Sequence, residues 1–97
     1  MKIEILDRAV ADLIDGFHFY ERQQEGLGGY FLASLYSDIE SLKLYAGIHR
    51  KAYKEYHRLL SKRFPYAVFY KVLDSTAFVH AVVDCRRDVA WIEAKLK

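Results

Sequence analysis

Along this chain the spacing of apolar residues changes character twice. Residues 2–6, KIEIL, alternate polar and apolar, which predicts a short strand. From Asp7 the period becomes helical. Val10, Leu13, Ile14, Phe17 and Tyr20 recur at helical steps, with Asp12, Asp15 and Glu21 mainly on the other side. Asp7 is the expected cap, and the turn-rich stretch EGLGG ends the helix near Gln24. Gly16, inside this helix, costs up to about 1 kcal/mol relative to alanine, so burial of the apolar stripe has to hold the helix together. A second helix is predicted from about Gly28 to Ala46 on Phe31, Leu32, Leu35, Ile39 and Leu42, with Gly47 as its stop. The link between the two is short, so they should pack as an antiparallel hairpin.

After Gly47 the helical period is lost. GIHRKAYKEY is basic and irregular and reads as a loop. Three runs follow, residues 56–63, 65–73 and 77–85, rich in β-branched and aromatic side chains and therefore strand-like. DST between the last two reads as a turn, and Pro65, which has no N–H to donate, belongs at a strand start or an edge. DVAWIEAKLK predicts a short helix capped by Asp88, with Trp91, Ile92 and Leu96 as its apolar stripe. The order β-α-α-β-β-β-α implies one α+β domain over residues 1–97, a helical hairpin packed on a mostly antiparallel sheet.

Composition narrows the function classes. No apolar run approaches the roughly 20 residues of a membrane span, and the first residues do not read as a signal peptide. The single cysteine, Cys85, excludes an internal disulfide. A cytoplasmic protein is the expectation. Charge is unevenly distributed. Residues 1–46 carry four bases against eight acids, and residues 47–97 carry eleven against five. A basic C-terminal half suits an anionic partner. Eight Tyr, six Phe and one Trp are many for 97 residues, so some rings should form an exposed apolar surface.

Metal and phosphate-loop chemistry find no support. CxxC and HExxH are absent, the four histidines are scattered, and no GK[ST] follows the glycines of EGLGGY. No metal or other cofactor is expected. The basic residues interleave with aromatics. Strand parity places Tyr56, Arg58, Leu60 and Lys62 on one face, and His57, Leu59, Ser61 and Arg63 on the other. A sheet with one face on helices and the other open would present such side chains to RNA, cations holding phosphates and rings stacking on bases. Arg86 and Arg87 close the last strand on opposite faces, and one is expected to pair with Asp84 or Asp88.

The segments GLGGYF, AGIH, HRLLSKRFPYAVFYKV and AVVDCRRDVAW together resemble the RelE/ParE family of bacterial toxins from type II toxin–antitoxin modules. The resemblance spans nearly the whole chain. It implies a growth-inhibiting protein neutralised by a cognate antitoxin that wraps around it. RelE-like members act in the ribosome, cleaving mRNA without a metal, and ParE-like members poison DNA gyrase.

Ribosome-dependent mRNA cleavage is the expectation, with gyrase inhibition or a non-catalytic antitoxin-binding remnant as alternatives. Carried over by position, Arg58 and Arg87 are the expected catalytic cations. Arginine is too weak an acid to serve as base, which leaves Lys62 or His57 as proton acceptor. Lys51, Lys54, Arg63, Arg86 and Tyr66 are the expected RNA contacts. The sequence departs from the nuclease pattern twice. Ala67 stands where RelE-like nucleases carry an arginine, and Trp91 and Glu93 lie near the place of their C-terminal tyrosine.

Overall fold

The computed structural model describes residues 1–97. Its elements are β1 (Lys2–Ile5), α1 (Asp7–Gln23), α2 (Leu27–Glu40), α3 (Leu42–Tyr45), β2 (Lys51–Tyr53), β3 (Tyr56–Leu60), β4 (Tyr66–Leu73), β5 (Thr76–Asp84) and α4 (Val89–Lys95). The five strands form one sheet in the order β1-β5-β4-β3-β2. β1 runs parallel to β5, and every other neighbouring pair is antiparallel. The expected α+β architecture is therefore present, and β1 occupies one edge.

The helical hairpin is held by close approach. A Cβ on Gly16 would lie 2.5 Å from the ring of Phe31, and one on Gly28 would lie 2.7 Å from the Phe17 carbonyl. Both glycines thus let the helices meet, while Gly26, at φ +87°, makes the turn itself. Glu21 secures that turn: its carboxylate accepts the backbone N–H groups of Gly26 and Gly28, the latter at 2.9 Å. It satisfies orphan donors at the start of α2, where negative charge is favoured. At the start of α1 the cap position is Leu6, which offers no side-chain acceptor, and Asp7 is the first helical residue rather than the cap.

The inner face of the sheet and the hairpin enclose the main core, with Leu13, Phe31, Leu35, Ile39, Val68, Tyr70 and Val79 almost fully buried. Burying a side chain of this size contributes about 1.5–3 kcal/mol. The α1 stripe is rotated from the expected one. Ala9, Asp12, Leu13, Gly16 and Tyr20 face inward, and Ile14 is 48% exposed. The predicted single helix to Ala46 divides at Ser41, whose hydroxyl donates to the Asp38 carbonyl at 2.6 Å and competes with the helix ladder.

Three further expectations change in the sheet. The presumed loop after Gly47 contains β2, an edge strand turned back onto β3 through Lys54 at φ +51°. β3 ends at Leu60 rather than residue 63, because Ser61 N–H bonds to the Tyr66 carbonyl and closes the loop that carries Pro65. The outer face is not open throughout. Ile92 of α4 and Leu96, which caps its C-terminus, pack there on Ala67, Phe69, Ala81 and Val83. The DST turn holds: Asp74 and Ser75 both have positive φ, the twist that a two-residue hairpin loop requires.

A bulge in β5 completes the frame. Phe69 pairs with Ala81 but Tyr70 with Val79, so His80 is the extra residue and side-chain parity reverses across it. Ala77, Val79 and Val82 reach the inner core, whereas Ala81 and Val83 reach the outer cluster. Beyond Val79, β1 no longer covers the edge of β5. Residues of α1 take over: Arg8 Nε donates to the His80 carbonyl at 2.7 Å, and Asp12 Oδ2 accepts the Val82 N–H at 2.9 Å.

Candidate functional site

The basic residues of the second half gather at the β2 edge and at the two ends of the sheet's outer face. Arg58 is exposed on the outer face of β3 and lines a cleft of about 360 Å³ with His49, Arg50, Lys51, Ala52 and Leu60. No acid lines this cleft, although Lys51 is bound to Glu55 at 2.7 Å. Lys54 sits in the β2–β3 turn, its ammonium 5.4 Å from the centre of the Tyr53 ring. Lys62 and Arg63 lie on the exposed loop after β3 and form no ion pair, so strand parity does not apply to them.

His57 belongs to a different environment. Its Nδ1 lies 2.7 Å from the His49 carbonyl, so that nitrogen must donate, which leaves Nε2 as the acceptor. The ring stacks on Tyr70 with centroids 5.0 Å apart. The Tyr70 hydroxyl accepts the Gly47 N–H and meets His49 Nδ1 at 2.6 Å. Burial, and then the neighbouring His57, hold His49 below the usual imidazole pKa, which favours the neutral ring that accepts from Tyr70. His57 also lines a cleft of about 490 Å³ with Lys51, Glu55, Lys71, Phe78 and His80. Lys71 there sits 4.5 Å over the Tyr56 ring.

In the arginine pair after β5, one member binds Asp84 as expected, and it is Arg86, named above as an RNA contact. Arg86 grips Asp84 with two side-chain bonds, at 2.9 and 2.7 Å, and its own N–H donates to the same carboxylate. This guanidinium keeps the Asp84 carboxyl below the usual carboxylate range. Arg87 instead lies 4.5 Å over the Trp91 ring. It lines a cleft of about 370 Å³ between α1, β5 and α4, together with Asp15, Phe19, Arg22, Trp91 and Lys95. The expected RNA contact at Tyr66 is corrected by burial. The residue is 8% exposed on the inner face, packed against the rings of Tyr20 and Phe31, and burial pushes its hydroxyl up to about 12. Only an edge of it reaches the Arg87 cleft, too little for a base to stack on.

Arg58, His57 and Arg87 therefore line three different clefts. Ala67, at the position where the nuclease pattern has an arginine, is buried under α4. Two residues that organise this region escaped sequence reading. Asp12, assigned to the polar side of α1, is buried and joins α1 to β5 and to Lys95 of α4, the latter at 2.5 Å. Its spacing from Ala9, Leu13 and Gly16 already places it on the inward stripe. Arg8, one turn earlier, carries the same edge-covering role. No cluster of three or more potential metal ligands is present.

This arrangement, an α1–α2 hairpin against a five-stranded sheet closed by a short C-terminal helix, is the RelE/ParE toxin fold. A chain of the chromosomal ParDE toxin–antitoxin system from P. aeruginosa superposes with a TM-score of 0.76 at 15% identity, over 87% of this chain and 95% of that one. The isolated E. coli RelE toxin superposes with a TM-score of 0.61, also at 15% identity, over 96% of this chain and 93% of that one. No family model and no curated protein matches the sequence. No helix is long and apolar enough to cross a membrane.

Proposed function

We propose that the protein is the toxin of a type II toxin–antitoxin pair, neutralised by a cognate antitoxin, and that it acts on DNA gyrase in the ParE-like manner. The observation that carries the choice of target is the dispersal of the candidate nuclease residues. Metal-free RNA cleavage needs a base, an acid and a phosphate clamp within hydrogen-bond reach of one phosphodiester. Arg87 lines a cleft that shares no residue with those of Arg58 and His57, which adjoin at Lys51 but take side chains from opposite faces of β3, and α4 covers the outer face at Ala67. Binding a protein target makes no such demand.

The test is a supercoiling assay with purified protein and gyrase, run beside a map of mRNA 5′ ends after induction. Loss of supercoiling with intact transcripts is the expected result, and uninhibited gyrase at growth-arresting levels overturns it. A RelE-like second reading draws on the cleft of Arg50, Lys51 and Arg58, which suits a phosphodiester backbone. Its signature is new 5′ ends within translated messages. Stable expression without any growth defect leaves only an antitoxin-binding remnant.

A further inference from the structure

β1 is an edge strand, and its outward side is a ready template for another strand. The bonding pattern fixes which groups it offers. Lys2 N–H donates to the Ser75 carbonyl at 3.1 Å and Leu6 N–H to the Val79 carbonyl at 3.0 Å, so the backbone groups of even-numbered residues point toward β5. By alternation, those of Ile3 and Ile5 point away from the sheet. The side chains alternate too. Lys2 and Glu4 are exposed, and Ile3 and Ile5 are half-buried against the main core.

The sequence of this edge is self-complementary. In an antiparallel pairing of two copies about a two-fold axis at Ile3, Ile3 meets Ile3 as a hydrogen-bonded pair. Each Lys2 then stands directly opposite a Glu4 in a non-hydrogen-bonded pair, where side chains approach most closely. Shifting the axis by one residue would set Glu4 against Glu4, so charge selects the first register. Edge strands are commonly protected by charged side chains, lysine above all. Here the two signs are arranged so that a second copy is not repelled. Apolar surface flanks the same edge: α3 lies against β1, with Leu44 81% and Tyr45 51% exposed. A four-residue ladder alone is small, and these side chains add the apolar area that a stable contact needs.

We propose that the β1 edge is the homodimer interface of this protein, joining two five-stranded sheets into one through Ile3–Ile3 backbone pairing and reciprocal Lys2–Glu4 contacts. The inference is independent of the toxin reading. It concerns a surface on the opposite side of the sheet from the basic β2 edge.

Sedimentation velocity of the full chain across a concentration series tests it. The wild-type protein should dimerise. Lys2→Glu and Glu4→Lys, both at exposed positions, should each weaken self-association by about tenfold or more, because both contacts become like-charged. An equimolar mixture of the two variants should recover the dimer, since every contact then joins Glu to Lys. The double swap within one chain should also dimerise. Circular dichroism confirms that each variant is folded. A wild-type chain that stays monomeric overturns the proposal, as do single swaps without effect or a mixture that fails to associate.

Discussion

Replacing Asp12 by alanine removes the one side chain that joins three elements. Its Oδ2 accepts the Val82 N–H at 2.9 Å, its Oδ1 holds Lys95 of α4 at 2.5 Å, and the residue is 8% exposed. Losing a hydrogen bond to a charged, buried acceptor costs about 1.5–3 kcal/mol. Lys95 is 30% exposed and can turn to water, so its share is at most about 1 kcal/mol. The expected loss for Asp12→Ala is therefore about 3 kcal/mol. In a domain of this size that lowers Tm by roughly 10 °C or more. Asp12→Asn keeps an acceptor for Val82 and should lose only about 1 kcal/mol, and Lys95→Met should lose no more than that. Urea denaturation of the three variants measures the order, and amide exchange at Val82 localises it. Exchange there should accelerate in Asp12→Ala and stay slow in Lys95→Met. An alanine variant within about 0.5 kcal/mol of wild type, or a Lys95→Met as costly as Asp12→Ala, refutes the assignment of the edge bond as the main contribution.

Gly16→Ala should destabilise the protein by about 1–3 kcal/mol, although the same change in an exposed helix is favourable, because the new methyl meets the buried Phe31 ring at 2.5 Å. Chemical denaturation reads the sign, and pairing it with Phe31→Leu should recover part of the loss. Stability should fall as pH drops below about 6.5: burial depresses the folded-state pKa of both His49 and His80, so the unfolded chain binds more protons in that window. Thermal melts from pH 8 to 5 check this, and His49→Gln should make the decline shallower. Arg87→Ala should reduce growth arrest on induction while leaving the melt unchanged, since Arg87 touches only the Trp91 ring and the cleft; an unaltered arrest removes that residue from the target surface.

Elements with a strong period were legible from the chain itself. Of the expected second-helix stripe, Phe31, Leu35 and Ile39 in α2 and Leu42 in α3 are buried and Leu32 is half-buried, and β4 keeps its alternation throughout. What escaped was decided by contacts distant in sequence. β2 has only three residues and no apolar alternation, and it exists because β3 supplies its ladder. Asp12 reads as a solvated helix residue until an uncovered stretch of β5 needs an acceptor. The bulge at His80 has no sequence mark such as glycine, yet it decides which of Ala81 and Val82 faces the helices. That one arginine of the pair would bind a neighbouring acid was legible; that it is Arg86, on Asp84, while Arg87 lines the cleft, came from the structure. Strand parity had already set Arg58 and His57 on opposite faces, but the distance of Arg87 from both was not visible, because parity within one strand says nothing of where another element's side chain lies.

The parallel pairing of β1 with β5 also dictates an order of assembly. Lys2–Ile5 must wait for Thr76–Val79, so β1 cannot find its place until a strand about seventy residues later in the chain is available. Before then only the α1–α2 hairpin and the meander from β2 to β4 can form on the nascent chain. β5 lies between β1 and β4, and it anchors α1 through Arg8 and Asp12. Closure of the sheet thus depends on β5, which joins β1 to the meander. A ribosome carrying an unfinished copy holds an open, unclosed sheet, and the complete surface exists only once β5 has emerged.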